Sequence, residues 1–237
     1  MIWDMILKLN KMTSKDSLAE NARRFELSML GTNLLYNLKM NISSRAVEIP
    51  WLLDNLKGKS GKILDVGCCD SFLPYELKKM GFSTYATDIR NYHHDINFTR
   101  SDITKKTKFK SDIFDYMTCI SVIEHIGLGS RSYGDVKDSD GDIKAMREMR
   151  RILKGELLLT THYSSKYTVD VNELSLARLY DKKRLGMLTR GFTIVKEQHF
   201  IRVNKKYSEV SKRRADDFRP IHRDDSIVCL VLRKRTE

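Results

Sequence analysis

Proline is scarce: Pro50, Pro74 and Pro220 are the only three in 237 residues. With no low-complexity tract beside them, long disordered linkers are not expected, and no internal repeat is visible. No apolar run approaches the length that crosses a bilayer. The opening Met-Ile-Trp-Asp-Met-Ile-Leu-Lys lacks the basic flank, apolar core and cleavage site of a signal peptide. A cytoplasmic protein without stable membrane insertion is the expectation. Cysteines are four, Cys68, Cys69, Cys119 and Cys229, and none forms a Cys-x-x-Cys pair. Cys119 and Cys229 lie inside apolar runs, where cysteine packs as a small core residue, so reduced thiols are expected. Neither a P-loop signature nor a Gly-x-Ser-x-Gly elbow occurs, which removes those two chemistries.

What is present is a soluble composition with a strong basic balance. Hydrophobic residues make up 41% and charged residues 31%, and the formal net charge is +12. The length suits one sizeable α/β domain with a helical appendage. Between Arg202 and Arg223 stand eight Lys or Arg against three acids. A footprint for an anionic partner such as RNA and a solvated face both stay open.

The chain is organised around residues 62–70, Lys-Ile-Leu-Asp-Val-Gly-Cys-Cys-Asp. Ile63, Leu64 and Val66 form a short apolar strand ending at Gly67. An amphipathic helix with Phe72, Leu73, Leu77 and Met80 follows at once, ended by Gly81. Strand–turn–helix is the opening of a nucleotide-binding α/β unit, with its ligand at the carboxyl ends of the strands. Helices are expected at 15–40 and 43–57, with Pro50 kinking or splitting the second. Strands are expected at 82–89 and 97–100, and a strongly apolar one at 113–122. A helix should start near Ile143 with Ser139 or Asp140 as N-cap. Strand 156–161, a helix at 173–189, and two last strands at 192–200 and 226–232 complete the pattern, with a basic insert over 201–224. Such alternation predicts a doubly wound, mostly parallel sheet with an antiparallel edge.

In this order the pieces resemble a class I S-adenosylmethionine (SAM)-dependent methyltransferase over roughly residues 45–235. The family's acid-x-Gly-x-Gly-x-Gly turn is matched by Asp65-Val66-Gly67-Cys68-Cys69-Asp70-Ser71. The first glycine is kept, and Cys69 and Ser71 stand at the second and third. Within the family, Glu124-His-Ile-Gly-Leu-Gly129 followed by Tyr133-Gly134-Asp135 is similar to a group of prokaryotic methyltransferase-like proteins. The resemblance implies a seven-stranded Rossmann-like sheet, an N-terminal helical cover over 1–57 and a SAM-binding domain over 58–237.

Asp88 ends the second strand, 23 residues after Asp65. There a carboxylate can accept from both ribose hydroxyls of an adenosine cofactor. The resemblance puts Asp65 under the cofactor's amino-acid end, with Gly67, Cys68 and Cys69 forming the turn. It puts Ile89 on the adenine face, Asp102 and the Ile103 N–H at the adenine edge, and Ser121 beside the transferred methyl. Glu124, His125, Tyr133 and His162 are the polar candidates for catalysis, His125 as general base. No metal is expected. His93 and His94 lack a third ligand, and aligning Gly141 to a calcium-loop glycine puts Val136 and Arg147 at ligand positions. The implied reaction is methyl transfer to a small-molecule or glycan acceptor. RNA, reached through 202–223, is the alternative acceptor, and a non-catalytic binder of nucleic acid or anionic headgroups is the rival from another class.

Overall fold

Ile63, Leu64, Asp65 and Val66 are all buried along β1 (Lys62–Val66), which places that strand inside a sheet covered on both faces. The computed structural model describes residues 44–91, 96–130, 134–171, 176–204, 206–220 and 225–235. The helix expected over 15–40, His93, His94 and Tyr133 fall outside them. Ahead of β1 runs α1 (Arg45–Leu56), an unsplit helix despite Pro50. After it come a 3-10 turn at Cys68–Asp70, α2 (Leu73–Lys79), β2 (Ser83–Asp88), β3 (Asn97–Arg100) and β4 (Phe114–Ile120). The chain continues through α3 (Gly141–Ile152), β5 (Leu153–His162), β6 (Thr168–Val171) and β7 (Leu176–Leu179). It closes with α4 (Lys182–Leu188), β8 (Phe192–Val203), β9 (Lys206–Val210), α5 (Lys212–Asp216) and β10 (Asp225–Lys234).

The sheet order is β3-β2-β1-β4-β5-β10-β8-β9. β1 pairs in parallel with both β2 and β4, so the strand order reverses between them and opens a crevice at their carboxyl ends. Side chains alternate between two cores. Leu157 and Leu159 join Met146, Met149 and Ile152 of α3, whereas Leu158 joins Trp51, Leu52 and Leu56 of α1 and Leu77 of α2. Helices therefore cover both faces of a Rossmann-like sheet.

Three expectations are corrected. The sheet has eight strands rather than seven. β10 is antiparallel to both β5 and β8, and it is interior, buried continuously from Ser226 to Leu232; the edge is β9, antiparallel to β8. Over 173–189, where a helix is expected, the described residues form β7, antiparallel to β6, and then the shorter α4. Two side chains decide this. Arg178 turns fully inward from β7, and Asp181 caps α4 by accepting from the Arg184 N–H at 2.7 Å. The basic insert is also mostly regular structure: Ile201–Val203 extend β8, and Ser211 caps the short α5.

Candidate active site

At the carboxyl ends of β1, β2, β4 and β5 lies a cavity of about 880 Å³, within the range of small-molecule sites. Thr168, Ala177 and Leu179 of the β6–β7 hairpin, with Arg219 and Pro220, form its far wall. Gly67, Asp88, Ile89, Asp102, Ile103, Ser121, His125 and His162 all line it. Asp65, Cys68, Cys69 and Glu124 lie behind the lining. Asp65 is buried and accepts from Thr118 Oγ1 at 2.6 Å; burial, outweighing that bond and the charge of Arg45, pushes its carboxyl up to about 7. Cys68 is fully buried against Ala86. Glu124, also fully buried, accepts from Thr161 Oγ1 at 3.2 Å.

One end of the cavity is set by the β1 turn. Gly67 adopts φ +79°, and a Cβ there would sit 2.5 Å from the Val122 methyls, so conformation and space both require glycine. Its N–H donates to Thr87 O at 2.8 Å, tying the turn to β2. Asp88 then receives the Cys69 N–H on Oδ2 at 3.0 Å and the Arg90 N–H on Oδ1 at 2.9 Å. The Arg90 guanidinium lies 3.3 Å from the same carboxylate. Asp102 accepts from Thr104 N–H and Oγ1 and pairs with Lys105 at 3.1 Å. Burial works against its charge, but those bonds outweigh it and hold the carboxyl below its usual range.

The other end joins Ser121 to three groups that the sequence pattern did not single out, Glu48, Arg45 and Thr160. Ser121 follows β4 with φ +48°, a left-handed conformation rare for a side-chain-bearing residue. Its Oγ donates to Oε1 of Glu48, and Thr160 Oγ1 donates to the same oxygen at 2.6 Å. Glu48 is fully buried, coming from the first turn of α1. Arg45, one turn earlier, donates from Nη1 to Ile120 O at 2.7 Å and lies 3.6 Å from Glu48 Oε2. Arg45 and Ser44 line the cavity beside Ser121. On a helical pattern Glu48 reads as one more solvated acid; its partners are 73 and 112 residues away.

Two histidines share this mouth with different partners. His125 Nδ1 is 2.6 Å from Leu176 O. A carbonyl only accepts, so Nδ1 carries the hydrogen and the neutral ring keeps its lone pair on Nε2. His162 instead faces two carboxylates, with Nδ1 2.9 Å from Asp225 Oδ1 and Nε2 3.7 Å from Glu124 Oε1. Burial would lower its pKa, but the bond and charge of Asp225, then Glu124, raise it to about 9. Asp225, which burial alone would raise, is held down to about 2 by His162 and by the Tyr207 hydroxyl.

The sign of the pH effect follows. A histidine raised in the folded state contributes stability that is complete below its unfolded value of 6.5 and is lost as pH rises through about 9. The melting temperature should therefore fall between those two values. The amount at stake is about 3 kcal/mol at 1.36 kcal/mol per unit. His162→Gln should flatten that fall; parallel profiles for the two proteins would show that the pair is not formed.

Solved structures share this fold. A SAM-dependent methyltransferase from Methanosarcina mazei superposes with a TM-score of 0.56 over 78% of this chain and 98% of its own, at 14% identity. The 1,6-didemethyltoxoflavin-N1-methyltransferase of Burkholderia thailandensis, solved with 1,6-didemethyltoxoflavin and S-adenosylhomocysteine bound, gives 0.58 over 95% of this chain and 93% of its own, also at 14%. A TehB-like SAM-dependent methyltransferase from Corynebacterium glutamicum gives 0.50 over 91% and 100%, at 15%. The chain thus has the α/β Rossmann-like fold of methyltransferases. No curated protein matches the sequence. A family model described as "Caenorhabditis protein of unknown function, DUF268" matches residues 78–235.

Proposed function

We propose that this chain, which belongs to the DUF268 family, is a SAM-dependent methyltransferase acting on a small-molecule or glycan acceptor. The observation that carries the reading is the convergence of Asp88, the Gly67 turn and the Arg45–Ser121 wall on one cavity at the strand-order reversal. Their chemistry fits the parts of the cofactor. Asp88 would take the ribose hydroxyls, with Ile89 against the adenine face and Asp102 with the Ile103 N–H at the adenine edge.

The amino-acid tail is a zwitterion and needs a cation and an acceptor side by side. Arg45 is the cation that would take the carboxylate. The Ser121 hydroxyl hydrogen is committed to Glu48, so its oxygen presents lone pairs to the cavity with a buried carboxylate behind them. That is an acceptor for the ammonium group.

When bound, SAM supplies a methyl group on a sulfonium, an already good leaving group. The chain's own work is to orient the acceptor and exclude water; alignment alone can lower a barrier by ~7–11 kcal/mol. His125 Nε2 would take the proton from a hydroxyl or amine of the acceptor. His162, charged and pinned by Asp225, would serve as a fixed donor and wall rather than as a base. Glu124, behind the lining, would act through His162.

The similarity of Glu124–Gly129 to methyltransferase-like proteins supports a small or glycan acceptor. The hydroxyls of Ser164 and Thr168 on the acceptor side agree with it. The basic stretch 202–223 is in part used internally: Lys212 pairs with Glu197, and Arg202 and Arg214 stack on Tyr207 and Phe218.

Calorimetric titration with S-adenosylhomocysteine and with 5′-methylthioadenosine, which lacks the amino-acid tail, tests the assignment. Arg45→Ala should weaken the first at least tenfold and leave the second within about twofold, one charge-assisted bond corresponding to about 1.5–3 kcal/mol. Equal effects on both ligands would remove Arg45 from the tail site. Failure of the wild-type protein to bind either ligand would refute the methyltransferase reading.

A further inference from the structure

The two cysteines of the β1 turn have no part in the chemistry above, and their adjacency in sequence does not read as a metal motif. The fold supplies the missing third group. β1 and β2 are parallel neighbours in register, Val66 opposite Thr87, so the residues that follow these two, the β1 turn and Asp88, meet. One donor atom each from Cys68, Cys69 and Asp88 lies within 4.8 Å of the other two. Among the described residues no other trio of His, Cys, Asp or Glu comes as close.

The backbone builds this cluster. Gly67 in its left-handed conformation starts the 3-10 turn that carries both cysteines, and the Cys69 N–H is bonded to Asp88 itself. We propose that Cys68, Cys69 and Asp88 form a binding site for a thiophilic divalent cation of the Zn²⁺ or Cd²⁺ type, whose occupancy excludes an adenosyl ligand. The second clause rests on the ribose role given above to Asp88; the first does not.

The donor set selects the ion. Two sulfurs and one carboxylate oxygen suit a soft or borderline cation, whereas Mg²⁺ and Ca²⁺ require oxygen shells. Zinc bonds of about 2.3 Å to sulfur and 2.0–2.2 Å to oxygen imply donor separations of roughly 3.3–3.8 Å. From separations of at most 4.8 Å, that spacing requires a contraction of about 1 Å or less. Two thiolates, one carboxylate and a divalent ion sum to a single negative charge, beside which Arg90 already stands.

Three protein ligands leave a fourth position. Of the three ligands only Asp88 lines the cavity, so the ion and the ribose compete for that one carboxylate. A carboxylate drawn onto a metal cannot also receive two ribose hydroxyls, and binding of the ion releases the two thiol protons to solvent.

The test is a Cd²⁺ titration of the full chain, reduced and stripped of metal, followed by the ultraviolet thiolate-to-cadmium charge-transfer band. The expected result is one equivalent bound, with saturating S-adenosylhomocysteine shifting the midpoint at least tenfold upward. Excess Mg²⁺ should leave the titration unchanged. Cys69→Ser and the double variant Cys68→Ser/Cys69→Ser should weaken the ion at least 100-fold, whereas Cys119→Ser should retain the band. If the double variant does not fold cooperatively, the competition in the wild-type protein still decides.

Persistence of the band in the folded double variant, or its absence from the wild-type protein at micromolar Cd²⁺, overturns the site. A wild-type band insensitive to bound S-adenosylhomocysteine overturns the exclusion. Metal binding in a protein that takes no adenosyl ligand supports the site and refutes the methyltransferase reading instead.

Discussion

Asp88→Ala is expected to weaken S-adenosylhomocysteine at least 100-fold, enough to abolish its thermal stabilisation of the protein at ordinary ligand concentrations. Two charge-assisted hydrogen bonds to ribose hydroxyls, at about 1.5–3 kcal/mol each, correspond to a loss of ~3 kcal/mol or more. The carboxylate also holds the Cys69 N–H and the Arg90 main chain. Its removal therefore loosens the turn as well as deleting the ribose contact, and both act in one direction. Asp88→Asn separates them, because the amide oxygen can keep one backbone bond while the charge is gone. It should fall between wild type and alanine. A wild-type ligand at 100 times its Kd adds about 2.7 kcal/mol of stability, which calorimetry or a melting curve reads directly. An unchanged Kd in Asp88→Ala would remove the adenosine end from this position.

The largest loss of stability is expected at Arg178. This guanidinium, 1% exposed, ties β7 to the 124–126 segment, to Ser139 and to α3. Nη1 donates to the carbonyls of Ile126 and Glu124, Nη2 reaches Ser139 O at 3.5 Å, and Nε stands 3.7 Å from Asp142 Oδ2. Arg178 N also donates to Glu124 O at 3.0 Å, and Leu176 on the same strand holds His125. Arg178→Met fills much of the volume but leaves those carbonyls without their donor.

Breaking a buried charged pair costs about 3–5 kcal/mol. Asp142 keeps Arg184 at 2.5 Å and Tyr180 at 3.1 Å, so the lower end applies. At roughly 2–4 °C per kcal/mol for a domain of this size, Tm should drop by about 10 °C. His125 should lose its fixed tautomer at the same time, so turnover should fall in the fraction that stays folded. A variant within 2 °C of wild type would show that the hairpin is held by its apolar contacts alone.

Local pattern carried the site as far as local pattern reaches. β1, its glycine turn and Asp88 are legible because each is specified within one strand–turn–helix unit, and their meeting follows from parallel pairing. His125 and His162 are legible as polar residues at or beyond strand ends, but their partners are not. Those are Leu176 O and Asp225, 51 and 63 residues away in the chain. Glu48 sits on a helix whose pattern fits a solvated acid, and only the arrival of Ser121 and Thr160 makes it a buried anchor. The hairpin in place of a helix at 173–189 has the same origin. Leu176-Ala-Arg-Leu gives no alternation of polarity, since the arginine is inside, and buried carbonyls from another segment decide its conformation.

The interior position of β10 has a consequence for how the protein is made. β5 and β8 share no ladder without it, since each pairs with opposite sides of the same strand. Synthesis delivers β1 to β5 first, β8 and β9 next and β10 last, so the strand that joins the two parts of the sheet is the last one made. A chain that stops before residue 225 has no Asp225 beside His162 and no strand between β5 and β8, whereas the pairing of β1 with β2 and β4 lies wholly within residues 62–120.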